Sequence, residues 1–283
     1  MFNPPLPSIL YKFLGASVSP ADGSVPFIDA DCLLRYSQPN SFNDPFEALP
    51  IWSLDGLNNE IIERFFVGNT PRQEQLPFAK RRDYKARKHA SVKRLARENP
   101  EKLTDILMEE SNRVASEDTG ILSLSASWEA SPMWAHYASD HEGLCIGFDC
   151  LHHYFTHRKD NLVCKIEYAK VRPIVPIESI MEMGMAVALY EFKDDRWQYE
   201  EEFRLIKPLR RASLTLGNDK RGYPIKLFRI PAEAVKEVVV GLHASQRLKD
   251  RVKSWQAKNQ HVVLYQATIN KSSYSIDRKP LKL

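Results

Sequence analysis

Between Ser131 and Asp149 the sequence passes from a helical to a strand pattern, and the change falls at one glycine. Ser131 suits a helix N-cap, and Pro132 suits the first helical position, where a missing N–H costs nothing. Gly143 suits the left-handed residue that stops a helix. Leu144-Cys145-Ile146-Gly147-Phe148-Asp149 then reads as a buried strand. Any fold for this chain must therefore let a helix end almost on top of a core strand. Trp134, Tyr137 and His141 follow at helical spacing and so share a face. They read either as core aromatics beside an exposed capping histidine, or as the mouth of a pocket. In the second case they would stack on and hydrogen-bond a ring-bearing ligand.

Strand-like runs occur on both sides of a long helical stretch. Ile9–Leu14, Leu33–Ser37, Ile121–Ser125 and Leu162–Tyr168 are short and apolar or aromatic. Trp197–Lys207 alternates strongly, and 226–230, 237–241 and 261–267 complete the set. Residues 57–117 are charged, basic and helix-forming, 178–192 form a helix rich in methionine and alanine, and 245–258 form an amphipathic helix. Strands around a helical insertion predict an α+β fold: a mixed, largely antiparallel sheet core in a single domain over 1–283, with 57–117 inserted.

Three constellations carry candidate chemistry. In the run Trp197-Gln198-Tyr199-Glu200-Glu201-Glu202-Phe203-Arg204, strand alternation places Glu200, Glu202 and Arg204 on one face. Acids in an apolar strand are costly unless paired or used. They form a solvated ion-paired face, or a rigid catalytic carboxylate, with Glu202 the first candidate and Glu200 the second. Phe42-Asn43-Asp44-Pro45-Phe46-Glu47 reads as a turn whose side chains bond nearby N–H groups, and Asn43 or Asp44 could instead meet a polar ligand. Lys80, Arg81, Arg82, Lys85, Arg87 and Lys88 concentrate positive charge on one predicted helix. Such a run is a solvated face or a phosphate-backbone contact for nucleic acid. Without interleaved stacking aromatics beyond Tyr84 it does not support base-specific recognition.

Other classes are disfavoured. The chain has no Gly-rich phosphate loop, no H-E-x-x-H and no G-x-S-x-G. Cys150, His152, His153 and His157 make the one metal-like cluster, without the acidic or sulfur set that would complete it, so no metal is expected. The formal net charge of +4 alone implies no nucleic-acid partner. Cys32, Cys145, Cys150 and Cys164 lack C-x-x-C spacing and read as reduced core thiols. No run approaches the ~20 apolar residues of a membrane span, and Met1-Phe2-Asn3-Pro4-Pro5 lacks signal-peptide character. A cytoplasmic protein with no membrane partner is the expectation.

The motifs Leu10-Tyr11-Lys12-Phe13, Tyr36-Ser37, Phe42–Glu47, Trp134-x-x-Tyr137-Ala138-x-x-His141-x-Gly143 and Trp197-x-Tyr199-Glu200-x-Glu202-x-Arg204 occur in this order. Together they resemble a mostly bacterial family known as domain of unknown function 2971. The layout also has a looser similarity to ADP-ribosyltransferase-like proteins, in which an early aromatic strand, a middle polar motif and a late strand glutamate form an NAD cleft. That similarity implies NAD as substrate, Tyr11 along the nicotinamide or ribose, and Glu202 as the late glutamate. It also implies His141, Trp134 and Tyr137 positioning the dinucleotide. Lys12 stands where a histidine or arginine would be expected. The favoured expectation is ADP-ribosyl transfer or NAD cleavage, as in stress or phage-defence effectors, with a nucleic-acid-associated target open. A non-catalytic nucleic-acid-binding module using the basic helix is the alternative, and a metal-independent nuclease using His141 with Glu202 is the third reading.

Overall fold

The computed structural model describes residues 6–16, 27, 32–67, 76–156, 162–178 and 190–281. In chain order β1 (Ile9–Leu14), β2 (Leu33–Arg35), a 3-10 turn at Pro39–Ser41 and β3 (Ile51–Ser53) come first. The stretch 57–117 holds α1 (Asn59–Ile62), a π-helical turn at Glu63–Val67, α2 (Phe78–Glu98) and most of α3 (Pro100–Asp118). Then follow β4 (Thr119–Ser125), α4 (Ser131–Tyr137), β5 (Leu144–Asp149), α5 (His153–Thr156), β6 (Leu162–Lys165), β7 (Glu167–Ala169) and β8 (Ile174–Pro176). Next come β9 (Phe192–Asp194), a 3-10 turn at Asp195–Glu200, β10 (Glu202–Pro208), β11 (Leu214–Asn218) and β12 (Pro224–Arg229). The chain closes with β13 (Val235–Val240), α6 (Gln246–Gln256), β14 (Val263–Ile269) and β15 (Ile276–Pro280).

An eight-stranded sheet in the order β15-β14-β13-β5-β1-β4-β10-β6 forms the centre. Its pairs are antiparallel except β13 with β14, whose parallel register needs the crossover that α6 supplies. Ser245 caps that helix through the Leu248 N–H at 3.2 Å. Smaller sheets are β11-β12-β2, β3-β8 and β7-β9. The class is α+β with a mixed, mostly antiparallel sheet, as expected.

Alternation divides the core between the two sheet faces. Leu122 and Leu124 of β4, and Leu144, Ile146 and Phe148 of β5, join one large cluster on the first face. On the second face Ile121 and Ile206 meet Ile61, Leu103 and Leu107 of the helical stretch. Farther along that face Tyr11, Phe13 and Cys145 meet Met133 and Trp134 of α4. The β1 strand pairs with β5 along its whole length, yet with β4 only at Tyr11 and Ser125. The two central strands therefore splay, and the sheet opens between the two clusters of the second face.

Several expectations are corrected. Trp197–Lys207 is not one strand: Asp194 accepts the Arg196 N–H at 2.9 Å and starts a 3-10 turn, and Glu201 is left-handed at φ 43°. The strand begins only at Glu202. Leu162–Tyr168 divides into β6 and β7 around Ile166. Ser131 is the first helical residue, with Ala130 at the N-cap and no side-chain cap. Gly143 is not the left-handed stop; that work falls to Ser139, Asp140 and His141, at φ 48°, 50° and 68°. Gly143 is needed for closeness instead, because a Cβ there would lie 2.0 Å from the Leu14 carbonyl oxygen. The helix expected at 178–192 falls largely on 179–189, outside the described residues. Strands β3, β8, β9, β11 and β15 were not anticipated.

Candidate functional site

The splayed sheet encloses a cavity of about 400 Å³. Its walls come from β1 (Tyr11–Leu14), β2 (Leu34, Arg35), the turn leading to Asn43, β4 (Ile121, Ser123–Ser125) and α4 (Met133, His136, Tyr137). Lys193 of β9, Glu200 and Glu202 complete it. Lys12 bridges the gap where the β1–β4 ladder fails, its ammonium donating to the Ser123 carbonyl oxygen at 3.1 Å.

A buried ion network underlies one wall. The left-handed Glu201 reverses the chain locally, so that Glu200 and Glu202 converge on one ammonium. Lys193 Nζ donates to Glu202 Oε2 at 3.0 Å and also pairs with Glu200 Oε2. Arg204, fully buried, donates from Nε to Glu202 Oε1 at 2.9 Å and from Nη2 to Glu202 Oε2 at 3.0 Å. Its Nη1 and Nη2 hold Glu47 at 2.6 and 3.0 Å, and Nη1 also reaches the Tyr190 carbonyl oxygen at 3.1 Å. The guanidinium fork is thereby committed on all sides. Burial alone would raise the Glu202 carboxyl, but Arg204 and Lys193 outweigh it and hold the acid well below the usual carboxylate range. Glu47, without direct contact to Lys193, is raised by burial despite Arg204. Burial lowers Lys193, yet Glu202 and Glu200 more than reverse that and keep it protonated.

Glu200 is bonded less heavily than Glu202. Its Oε1 accepts from the Tyr137 hydroxyl at 2.7 Å, and that oxygen of Tyr137 receives the Asn43 amide at 3.4 Å. Burial and the Glu200 charge keep the Tyr137 phenol protonated. His136, Trp197 and Tyr199 gather their rings 6.1–6.4 Å apart beside this point, with Lys193 5.0 Å from the Trp197 ring centre.

Of the residues expected in a site, Tyr11, Asn43, Tyr137, Glu200 and Glu202 line the cavity. The hydroxyl of Tyr11 is already donated to Glu237 at 2.9 Å, so its ring faces the cavity but its oxygen is spoken for. Four others are elsewhere. Trp134 is wholly buried, donating its indole N–H to the Trp128 carbonyl oxygen at 2.7 Å. His141 leaves the helical register through the left-handed residues and stacks on Trp134 at 6.3 Å, 7° from parallel, beside His243. Burial and His243 lower its pKa. Asp44 turns inward to accept the Phe46 N–H at 2.9 Å. Arg204 supports the wall without lining the cavity. Sequence reasoning missed Lys193, Arg35 and His136, and treated Lys12 as a departure. A lone lysine in Glu191-Phe192-Lys193-Asp194-Asp195 was the available signal for the first.

The basic helix is partly committed. Lys85 and His89 pair with Glu63, the latter at 2.9 Å, and Arg81 donates to the Leu76 carbonyl oxygen at 3.0 Å. Lys88 is half-buried, whereas Lys80, Arg82 and Arg87 are exposed. Among the described residues no three His, Cys, Asp or Glu side chains gather to hold a metal, and His157 lies outside them. Among the same residues no helix is long and apolar enough to cross a membrane.

The part of the chain that carries most of α4, Lys193 and both glutamates also matches a known family. Residues 133–205 match a family described as a protein of unknown function, DUF2971. The resemblance to DUF2971 is real. The matched segment runs from Met133 to Leu205 and includes Tyr137, Lys193, Glu200, Glu202 and Arg204. Tyr11, Lys12, Arg35, Asn43 and Glu47 lie outside the DUF2971 match, on the N-terminal side of the cavity. No curated protein and no solved structure matches the chain. The DUF2971 match carries no likeness to ADP-ribosyltransferases.

Proposed function

We propose that the cavity is the active site of an enzyme that cleaves the nicotinamide–ribose bond of NAD, passing the ADP-ribosyl group to water or to an acceptor hydroxyl. The observation that carries this reading is Glu202: a carboxylate 2% exposed yet held ionised on the cavity wall by Arg204 and Lys193. Breaking the C1′–N bond sends its electron pair to the pyridinium nitrogen, so nicotinamide leaves neutral and positive charge develops on the ribose. A fixed, buried anion stabilises that charge without having to reorganise. Glu200, with the lighter load of hydrogen bonds, takes the proton of the incoming O–H as the new C1′–O bond forms. The Tyr137 ring and the nearby His136 offer flat surfaces to the nicotinamide. Calorimetry and thermal shift test the premise: NAD should bind and raise the unfolding midpoint of the wild type. No binding at millimolar NAD sinks it.

A second reading is favoured by one observation, the exposure of Lys80, Arg82 and Arg87 on α2. These cations give the chain an electrostatic footprint for a nucleic-acid-bound acceptor. Replacing the three with glutamine should flatten the dependence of RNA or DNA binding on salt, with a log–log slope smaller by about 2–3. It should leave NAD binding unchanged. An unchanged slope in a filter-binding titration removes the nucleic-acid role.

A further inference from the structure

Lys12 and Arg35 face the same cavity from β1 and β2, opposite the demands of the glutamate network. Among the described residues Lys12 has one hydrogen-bond partner, the Ser123 carbonyl oxygen, which leaves two of its three N–H groups for something else. Arg35 gives Nη2 to Asp219 at 2.5 Å, and its Nε is buried without a partner among those residues. A buried donor such as the Arg35 Nε is costly to leave unmade. Among the described residues neither Glu202 nor Glu200 hydrogen-bonds to Lys12. Both oxygens of Glu202 are engaged by Arg204 and Lys193, and those of Glu200 by Tyr137 and Lys193. Burial first, with Arg35 and Lys193, lowers the Lys12 pKa despite Glu202 and Glu200, so an added anion beside it would favour its charged form.

Two neighbouring cations with unspent, partly desolvated donors call for an oxyanion that presents several acceptor oxygens at once. A phosphate group does so, and charge-assisted N–H···O bonds to it are among the strong ones. We infer that Lys12 and Arg35 form a phosphate subsite within the cavity, and that the ligand is a pyrophosphate-bearing nucleotide. The inference rests on the proposed NAD chemistry for the nucleotide's identity alone; the phosphate contact stands on its own geometry.

The test uses inorganic pyrophosphate and ADP-ribose, neither of which contains nicotinamide. Both should bind the full chain in calorimetry. Lys12→Met should weaken both by about tenfold or more, the loss of one charge-assisted contact. Arg35→Lys keeps a cation for Asp219 but removes the guanidinium fork, and should weaken them as well. That second variant decides the question if Lys12→Met does not fold. Absence of pyrophosphate binding, or wild-type affinity in a folded variant of either residue, overturns the subsite. Pyrophosphate binding that depends on Lys12, without any nicotinamide release from NAD, upholds the subsite and retires the glycosidic reading.

Discussion

Arg204→Met should cost about 3–5 kcal/mol of folding stability, because it strands the buried carboxylates of Glu202 and Glu47 without their counter-charge. Against a typical margin of about 5–15 kcal/mol, that brings the chain close to unfolding. A urea titration reads the effect as a large drop in midpoint. The loss should shrink in a Glu47→Gln/Glu202→Gln background, since the arginine's partners are then already neutral and the effects couple. A midpoint shift corresponding to less than about 1 kcal/mol would mean that the guanidinium is not the support of the wall described above. The same network sets the sign of the acid response. The folded state holds Glu202 below its ordinary value of about 4.3, so its contribution to stability is present above that value. It is lost as the pH falls through the lower, folded value. Wild type should therefore lose more stability on acidification than Glu202→Gln does.

The second large effect concerns rate. Glu202→Gln is close in shape, keeps most hydrogen-bond geometry and removes the negative charge. If that charge faces a developing oxocarbenium, nicotinamide release should fall by about 10²–10³-fold, the loss seen when one preorganised electrostatic contact is removed from an active site. NAD affinity should change far less, because the interaction belongs to the transition state rather than to the ground state. A variant that lost NAD affinity while keeping the wild-type rate at saturation would place Glu202 in binding alone. Circular dichroism must first show that the variant is folded, since Arg204 and Lys193 lose a counter-charge.

The sheet strands were largely legible because apolar and β-branched runs are short and bounded by turn residues, as at 121–125 and 237–241. The glutamates were legible for the same reason in reverse: acids inside an apolar run demand an explanation. Their geometry was not. Alternation along 197–207 brings Glu200 and Glu202 to one face, and the structure also brings them together, but through a 3-10 turn and one left-handed residue at Glu201. Local backbone conformation of that sort leaves no periodic trace. Helical spacing in 134–141 misled in a related way. The helix ends at Tyr137, three left-handed residues follow, and His141 turns from the cavity while His136 takes a place on it. Arg35 and Lys193 were missed, and Lys12 was read only as a departure, because each is a single basic residue in ordinary company. Only the splaying of β1 from β4 and the approach of β2 and β9 make them neighbours.

The most direct measurement is release of nicotinamide from NAD, followed by chromatography, for wild type beside Glu202→Gln and Glu200→Gln. Wild type should liberate nicotinamide together with ADP-ribose or an ADP-ribosylated acceptor. Glu202→Gln should be nearly inactive, and Glu200→Gln should be slowed while still binding NAD. Wild-type protein that binds NAD and releases no nicotinamide with water or any acceptor supplied, or a folded Glu202→Gln variant as fast as wild type, would contradict the account.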